Sequence, residues 1–198
     1  MGEYQDKISV MRGCTRCSLS SFRTNLVIYR GNPRANIMAI GEAPGRHEDL
    51  QGKPFVGDTG GYFVDLIDKF DVSLRDIYIT NVVMCRPPSN ADPTKEQMDA
   101  CANWVRMQID LVNPKYIIAV GRLAASRLLP WWKPGRTSIT REEGNIHKPP
   151  HLEGKLVIPV RHPSAIKRVP SNTDEYELRI EKICKMMLSG KEELDYDR

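Results

Sequence analysis

The sequence predicts an α/β fold, a single domain over residues 1–198 with a central four-stranded, mostly parallel sheet flanked by helices, and three observations predict it. Four short runs, residues 37–40, 77–84, 116–120 and 156–160, are largely apolar, as strands are when helices cover both faces of their sheet. Helical patterns lie between these runs, and strands alternating with helices point to parallel pairing. The chain has 198 residues, 40% of them hydrophobic, which suits one compact core over about residues 10–188.

The first helix is marked by Tyr62, Phe63, Leu66, Ile67 and Phe70, which share a face. The second opens after Pro93, where Thr94 and Gln97 have capping-box spacing. Met98, Cys101, Val105, Ile109 and Val112 then recur at steps of three and four. A short third helix follows Gly121, and a last one carries Tyr176, Ile180, Ile183 and Met187. The tail, residues 190–198, is polar and charged and is expected to fray. No apolar run is long enough to span a bilayer, and the first residues lack a signal-peptide core. A monomer in the cytoplasm, with no membrane partner, is therefore the default expectation. A net charge of +4 permits a polyanionic partner without requiring one.

Ligands of parallel sheets sit beyond the carboxyl ends of the strands, and three chemically rich segments fall there: Gly41-Glu42 after the first run, Asn81 to Cys85 at the end of the second, and His162-Pro163-Ser164 after the fourth. After the first run comes Gly41-Glu42-Ala43-Pro44-Gly45, followed by a turn through Glu48 and Asp49 to Pro54-Phe55-Val56-Gly57. Glycines and prolines force a tight loop whose backbone amides can meet anions or carbonyl oxygens. Its carboxylates, Glu42, Glu48 and Asp49, can orient a water or steady a cation, or they can form a solvated acidic turn. Phe55 is either core or a stacking platform for a planar ring. No Walker A or Rossmann fingerprint is present, so no nucleotide cofactor is expected. After the fourth run comes Arg161-His162-Pro163-Ser164-Ala165-Ile166-Lys167-Arg168. His162 there can donate into a pocket. Arg161, Ser164, Lys167 and Arg168 suit phosphates, and Ile166 among cations suits a wedge entering a base stack. The alternative is a basic surface loop with a structural histidine. Trp131-Trp132 reads as either a stacking surface or a packing plug.

Five cysteines in a chain expected to be cytoplasmic favour metal binding or burial over disulfides. Cys14 and Cys17 form a C-x-x-C pair, Cys85 ends the second run, and Cys101 lies on the apolar face of the second helix. Spacing alone admits a [4Fe–4S] cluster, a zinc ion or four unrelated thiols. Cys184 reads as a plain buried thiol.

Taken in order, C-x-x-C, GEAPG, ED-x-x-G-x-PFVG, TNVVMCRPP over residues 80–88, a cysteine on the next helix and HPS resemble the family 4, iron–sulfur uracil-DNA glycosylases. The resemblance runs from about Cys14 to Arg168. It implies a uracil-DNA glycosylase-like fold acting on uracil in single- or double-stranded DNA, with a structural [4Fe–4S] cluster on Cys14, Cys17, Cys85 and Cys101. It implies Glu42 and Glu48 as active-site acids, Gly41 and Phe55 against the flipped base, Asn81 on its edge and His162 at its O2. The sequence departs from the family at Thr59, Met84 and Lys167. Rival expectations are the same fold acting on another deaminated or modified base, a non-catalytic DNA- or partner-binding module, and a zinc-bearing nucleotide enzyme.

Overall fold

A computed structural model describes residues 2–133 and 135–194. Its strands are β1 (Arg30–Gly31), β2 (Ile37–Gly41), β3 (Ile77–Asn81), β4 (Tyr116–Val120) and β5 (Leu156–Val160). Its helices are α1 (Gly2–Arg12), α2 (Arg46–Gln51), α3 (Asp58–Lys69), α4 (Lys95–Val112), α5 (Arg122–Leu128), α6 (Ile139–Glu142), α7 (Pro163–Arg168) and α8 (Thr173–Leu188). The sheet order is β1-β3-β2-β4-β5. All neighbours are parallel except β1, which runs antiparallel to β3. The four expected strands are present, and β1 makes a fifth. It is two residues long and defined by its partner, so no periodicity in the sequence marks it.

β2 to β5 are buried at every position because each face of the sheet meets its own core. Met38, Ile40, Tyr78, Ile117 and Ala119 point into one core with α1, α4 and α5. Ile37, Ala39, Ile77, Ile79 and Ile118 point into the other with α3, α7 and α8. This period-two division is what a pleated strand imposes. Thr94 and Gln97 close the capping box on α4, with Gln97 N–H donating to Thr94 Oγ1 at 3.3 Å and Thr94 N–H to Gln97 Oε1 at 2.9 Å.

Three boundaries differ from expectation. β3 stops at Asn81 and not at residue 84, the chain turning away there. The core begins well before residue 10: Tyr4, Ile8 and Met11 of α1 are buried. Tyr4 donates its hydroxyl to Tyr78 Oη at 3.0 Å, and Tyr78 donates in turn to Gln108 Oε1 at 2.7 Å. The tail also packs as far as Leu194, which is buried. Lys191 and Gly190 give their carbonyls to the Tyr116 hydroxyl and the Lys115 ammonium. Residues 195–198 of the predicted tail lie outside the described residues.

The order β3-β2-β4 places the chain's next strands on opposite sides of β2. At such a reversal the loops leaving β2 and β4 diverge and open a crevice beyond their carboxyl ends.

Candidate active site and cysteine centre

The crevice is a cleft of about 530 Å3. Glu42, Glu48, Phe55, Asn81 and His162 all line it, so residues from three separate stretches of sequence converge there. Gly41 is adjacent, paired across the strands with Asn81.

Phe55 holds a left-handed backbone (φ 56°), a conformation a non-glycine residue keeps only under constraint. The constraints are visible. Arg30 donates to the Phe55 carbonyl at 3.0 Å, Phe63 meets its ring edge-on at 5.7 Å, and Gly60 sits against its backbone, where a Cβ would approach Phe55 Cα to 2.5 Å. A Cβ on Gly41 would lie 2.7 Å from the Phe55 ring and 2.5 Å from Asn81 Oδ1.

The two glutamates differ in what they are free to do. Glu48 is buried, and its carboxylate accepts from the backbone N–H of Gly45, Val56 and Gly57 at 3.1, 3.1 and 2.7 Å. It fastens the loop that presents Phe55. Glu42 rests on Gly121, which has φ 97° and no room for a Cβ. Its Oε1 accepts from Leu123 N–H in the first turn of α5 at 3.0 Å. Its Oε2 has no hydrogen-bond partner among the described residues.

Asn81 is 2% exposed, and its side-chain amide has no protein partner among the described residues. Buried amides are normally paired, so an amide left open on a cleft wall is equipped for a ligand. His162 caps α7. Its Nδ1 accepts from Ser164 N–H at 3.3 Å and lies 2.8 Å from Ser164 Oγ. A ring nitrogen that accepts an N–H carries no proton, so the proton sits on Nε2. Burial lowers the His162 pKa, Glu42 opposes this, Arg168 adds to it and Asp92 opposes it. The ring is therefore a neutral donor at neutral pH.

Three sequence expectations are corrected. Ile166 is 2% exposed and belongs to the core with α3 and α8, so it is no wedge; α7 turns this residue inward while Lys167 and Arg168 face out. Arg161 is 5% exposed and paired with Glu143, out of reach of phosphates. Asp49 accepts from the backbone of Thr24 and Asn25 and does not line the cleft; it ties down a neighbouring loop. Lys167 and Arg168 are exposed, and Arg168 lines the cleft. Sequence reasoning missed the wall formed by Pro87, Asn90, Ala91 and Asp92, and the cleft-side Arg46. The signal was the turn-rich Pro87-Pro88-Ser89-Asn90. There Ser89 and Asn90 both take left-handed backbone, and Asp92 pairs with Arg122 at the start of α5.

Cys14, Cys17, Cys85 and Cys101 gather beside α4. Burial pushes the Cys101 thiol up to about 12, with the fields of Cys85, Cys17 and Cys14 adding to it. Burial raises Cys85 as well, Arg23 opposes this, and Cys17 and Cys14 add to it. Two N–H donors address the sulfurs: Arg23 Nη1 to Cys85 Sγ and Trp104 Nε1 to Cys14 Sγ, both at 3.2 Å. Among the described residues no three His, Cys, Asp or Glu close tightly enough on one point to hold a single metal ion. Cys184 is fully buried on α8, its pKa pushed up to about 12 by burial.

The family model of the uracil DNA glycosylase superfamily matches residues 28–184. The chain belongs to the uracil DNA glycosylase superfamily. Its long likeness is to type-4 members. It is 36% identical over 184 residues to a type-4 uracil-DNA glycosylase of Archaeoglobus fulgidus, covering 92% of each chain. It is 41% identical over 162 residues to the type-4 enzyme of Thermotoga maritima, covering 82% of each. A type-5 uracil-DNA glycosylase of Thermus thermophilus is 34% identical over 114 residues, half of this chain. A superfamily member therefore carries its cleft where the α/β topology opens the sheet, and no described helix is long and apolar enough to cross a membrane.

Proposed function

We propose that this protein hydrolyses the N-glycosidic bond of uracil in DNA, taking the flipped nucleotide into the cleft and leaving an abasic site for base excision repair. The observation that carries this reading is the open, buried amide of Asn81 in one cleft with Phe55 and His162. An amide offers a donor and an acceptor side by side, as the O4 and N3–H edge of uracil requires. Cytosine presents the reverse pattern and would leave polar groups unpaired. Phe55 stacks on the ring. The His162 Nε2–H stabilises the negative charge that develops at O2 of the leaving base, an oxyanion-hole role.

The difference between the carboxylates supports assigning their parts. Glu42, with Oε2 unengaged, orients the attacking water and faces the cationic sugar of an oxocarbenium-like transition state. Glu48 holds the Phe55 loop through its amide contacts. Lys167, Arg168 and Arg46, with Ser164, hold phosphates around the extruded nucleotide. Extrusion costs a few kcal/mol, least from a single strand or a mispair. All these groups come from one chain, which supports a monomer, and five cysteines outside any disulfide suit a reducing cytoplasm.

The assay is direct: incubation with a uracil-containing oligonucleotide is expected to release free uracil and an alkali-labile strand. Binding without release would leave a recognition module, and release only from hypoxanthine or other modified bases would reassign the substrate.

Cys14, Cys17, Cys85 and Cys101 would hold a [4Fe–4S] cluster. The donor set fits: four thiols lie in one another's fields, with N–H donors on two sulfurs, as cluster sites use. A single zinc ion at about 2.3 Å from each sulfur would need a tighter set. The cluster would supply a structural cross-link between the N-terminal segment and α4, because hydrolysis needs no electron transfer. Anaerobically purified protein is expected to be brown, with about four iron and four sulfide per chain; a colourless protein with one zinc would overturn this.

Gly121→Ala tests the seat of Glu42. The new Cβ would lie 2.5 Å from Glu42 Oε1, on a backbone that L side chains rarely adopt. The variant is expected to lose about 1–3 kcal/mol of stability and at least about tenfold in single-turnover rate. A wild-type rate would remove Glu42 from the reacting centre.

A further inference from the structure

The segment that delivers His162 is held by a buried ion pair with no part in the chemistry above. Arg161 is 5% exposed and Glu143 4%. Glu143 grips Arg161 twice: Oε1 accepts the Arg161 backbone N–H at 2.8 Å, and Oε2 accepts from Nε at 2.7 Å. From α8 the buried Tyr176 donates its hydroxyl to the Arg161 carbonyl at 3.3 Å, with the guanidinium 5.9 Å from its ring centroid. The peptide units on both sides of the Arg161 Cα are therefore clamped, and the second of them carries His162. The hydrogen bonds between His162 and Ser164 set the rotation of the imidazole. They do not set where its Cα stands.

The energetics argue against a purely stabilising purpose. Withdrawing two charges from water commonly costs more than their attraction returns, and apolar replacements of the same volume often fold as well or better. This pair is not optimised even as a pair. Arg161 Nη2 is buried without a hydrogen-bond partner, and Glu175, a further carboxylate near it, stands 3.7 Å away. An apolar pair would fill the space but would not give a directed grip on the backbone N–H.

We propose that Glu143 and Arg161 are positioning residues for His162: together they fix the point from which its Nε2–H reaches the leaving base, and they do not hold DNA phosphates. The inference rests on the pocket reading of His162 given above.

The test uses the full chain in three forms: Arg161→Met/Glu143→Leu, Arg161→Met/Glu143→Gln and His162→Ala. The leucine variant removes both charges and the grip. The glutamine variant removes both charges but keeps an acceptor for the backbone N–H at position 161. The leucine variant is expected to unfold at or above the wild-type temperature and to bind uracil-containing DNA with unchanged affinity and salt slope. It should lose about 100-fold in kcat with KM little changed, the scale of a misplacement of about 1 Å. The His162 ring nitrogens, followed by NMR, should keep one tautomer, because the Ser164 contacts travel with the ring, while their chemical shifts move as the ring is displaced. The glutamine variant should keep its rate within about fivefold of wild type. A leucine variant with wild-type kcat would overturn the proposal. So would weaker DNA binding with a salt slope shallower by about one, the mark of a lost phosphate contact, or unfolding of both double variants, the mark of a plain stabilising role. His162→Ala separates the two levels. If it is inactive while the leucine variant is normal, only the positioning role fails; if it retains the wild-type rate, the pocket reading fails.

Discussion

His162→Ala is expected to lower kcat on uracil-containing DNA by roughly 10²- to 10³-fold, the usual effect of deleting one oxyanion donor, while DNA affinity stays within about threefold. The direction follows from the ring's surroundings. Nδ1 is spent on Ser164, so Nε2–H is the donor that remains, and alanine supplies none. DNA affinity survives because the proposed phosphate contacts belong to other side chains. Burial lowers the His162 pKa, so the neutral ring persists as pH falls past the ordinary histidine value of about 6.5. Activity should be flat through that value and fall only at lower pH, where protonation takes Nδ1 from the Ser164 amide. Single-turnover rates across pH check both points. An acid limb centred at or above about 6.5, absent from a His162→Gln variant, would contradict the neutral-donor assignment.

Asn81→Ala is expected to cost roughly 100-fold in kcat/KM and to narrow the preference for uracil over cytosine by a similar factor, as loss of two hydrogen bonds to a bound edge implies. Folding should be nearly unaffected. The side chain has no protein partner among the described residues, so its removal strands no buried group, and Gly41 O still accepts from Val82 N–H at 2.9 Å. The measurement pairs uracil- and cytosine-containing oligonucleotides with a thermal melt. A collapse in stability with selectivity retained would make Asn81 a packing residue.

The parts of the fold legible in the sequence are those where one short pattern decides the outcome. Thr94 and Gln97 announce α4, and the uniformly apolar runs announce strands buried on both faces. α1 was legible in principle, since Tyr4, Ile8 and Met11 lie at helical spacing, but the charged residues between them hide it. At the site, glycine- and proline-rich loops after strands pointed to the cleft through topology alone. What stayed hidden depends on partners remote in sequence. Nothing near Arg161 indicates that Glu143 will bury it, so a cation beside HPS reads as a phosphate ligand. Nothing near Ile166 indicates that a single turn of α7 aims it at α8. Glu42 and Glu48 look alike as letters and part company only when amides at residues 45, 56 and 57 reach one of them.

Gly41, Gly60 and Gly121 share one property: at each, a methyl group would overlap Phe55, Asn81 or Glu42 at 2.8 Å or less. The cavity is thus sculpted partly by atoms that are missing, and its outline cannot be enlarged by trimming them further. Evolution toward a bulkier base would have to move the main chain itself, whereas changes of charge along the rim need no such rearrangement. That asymmetry predicts a protein whose choice of strand and sequence context can drift freely while its choice of base stays locked.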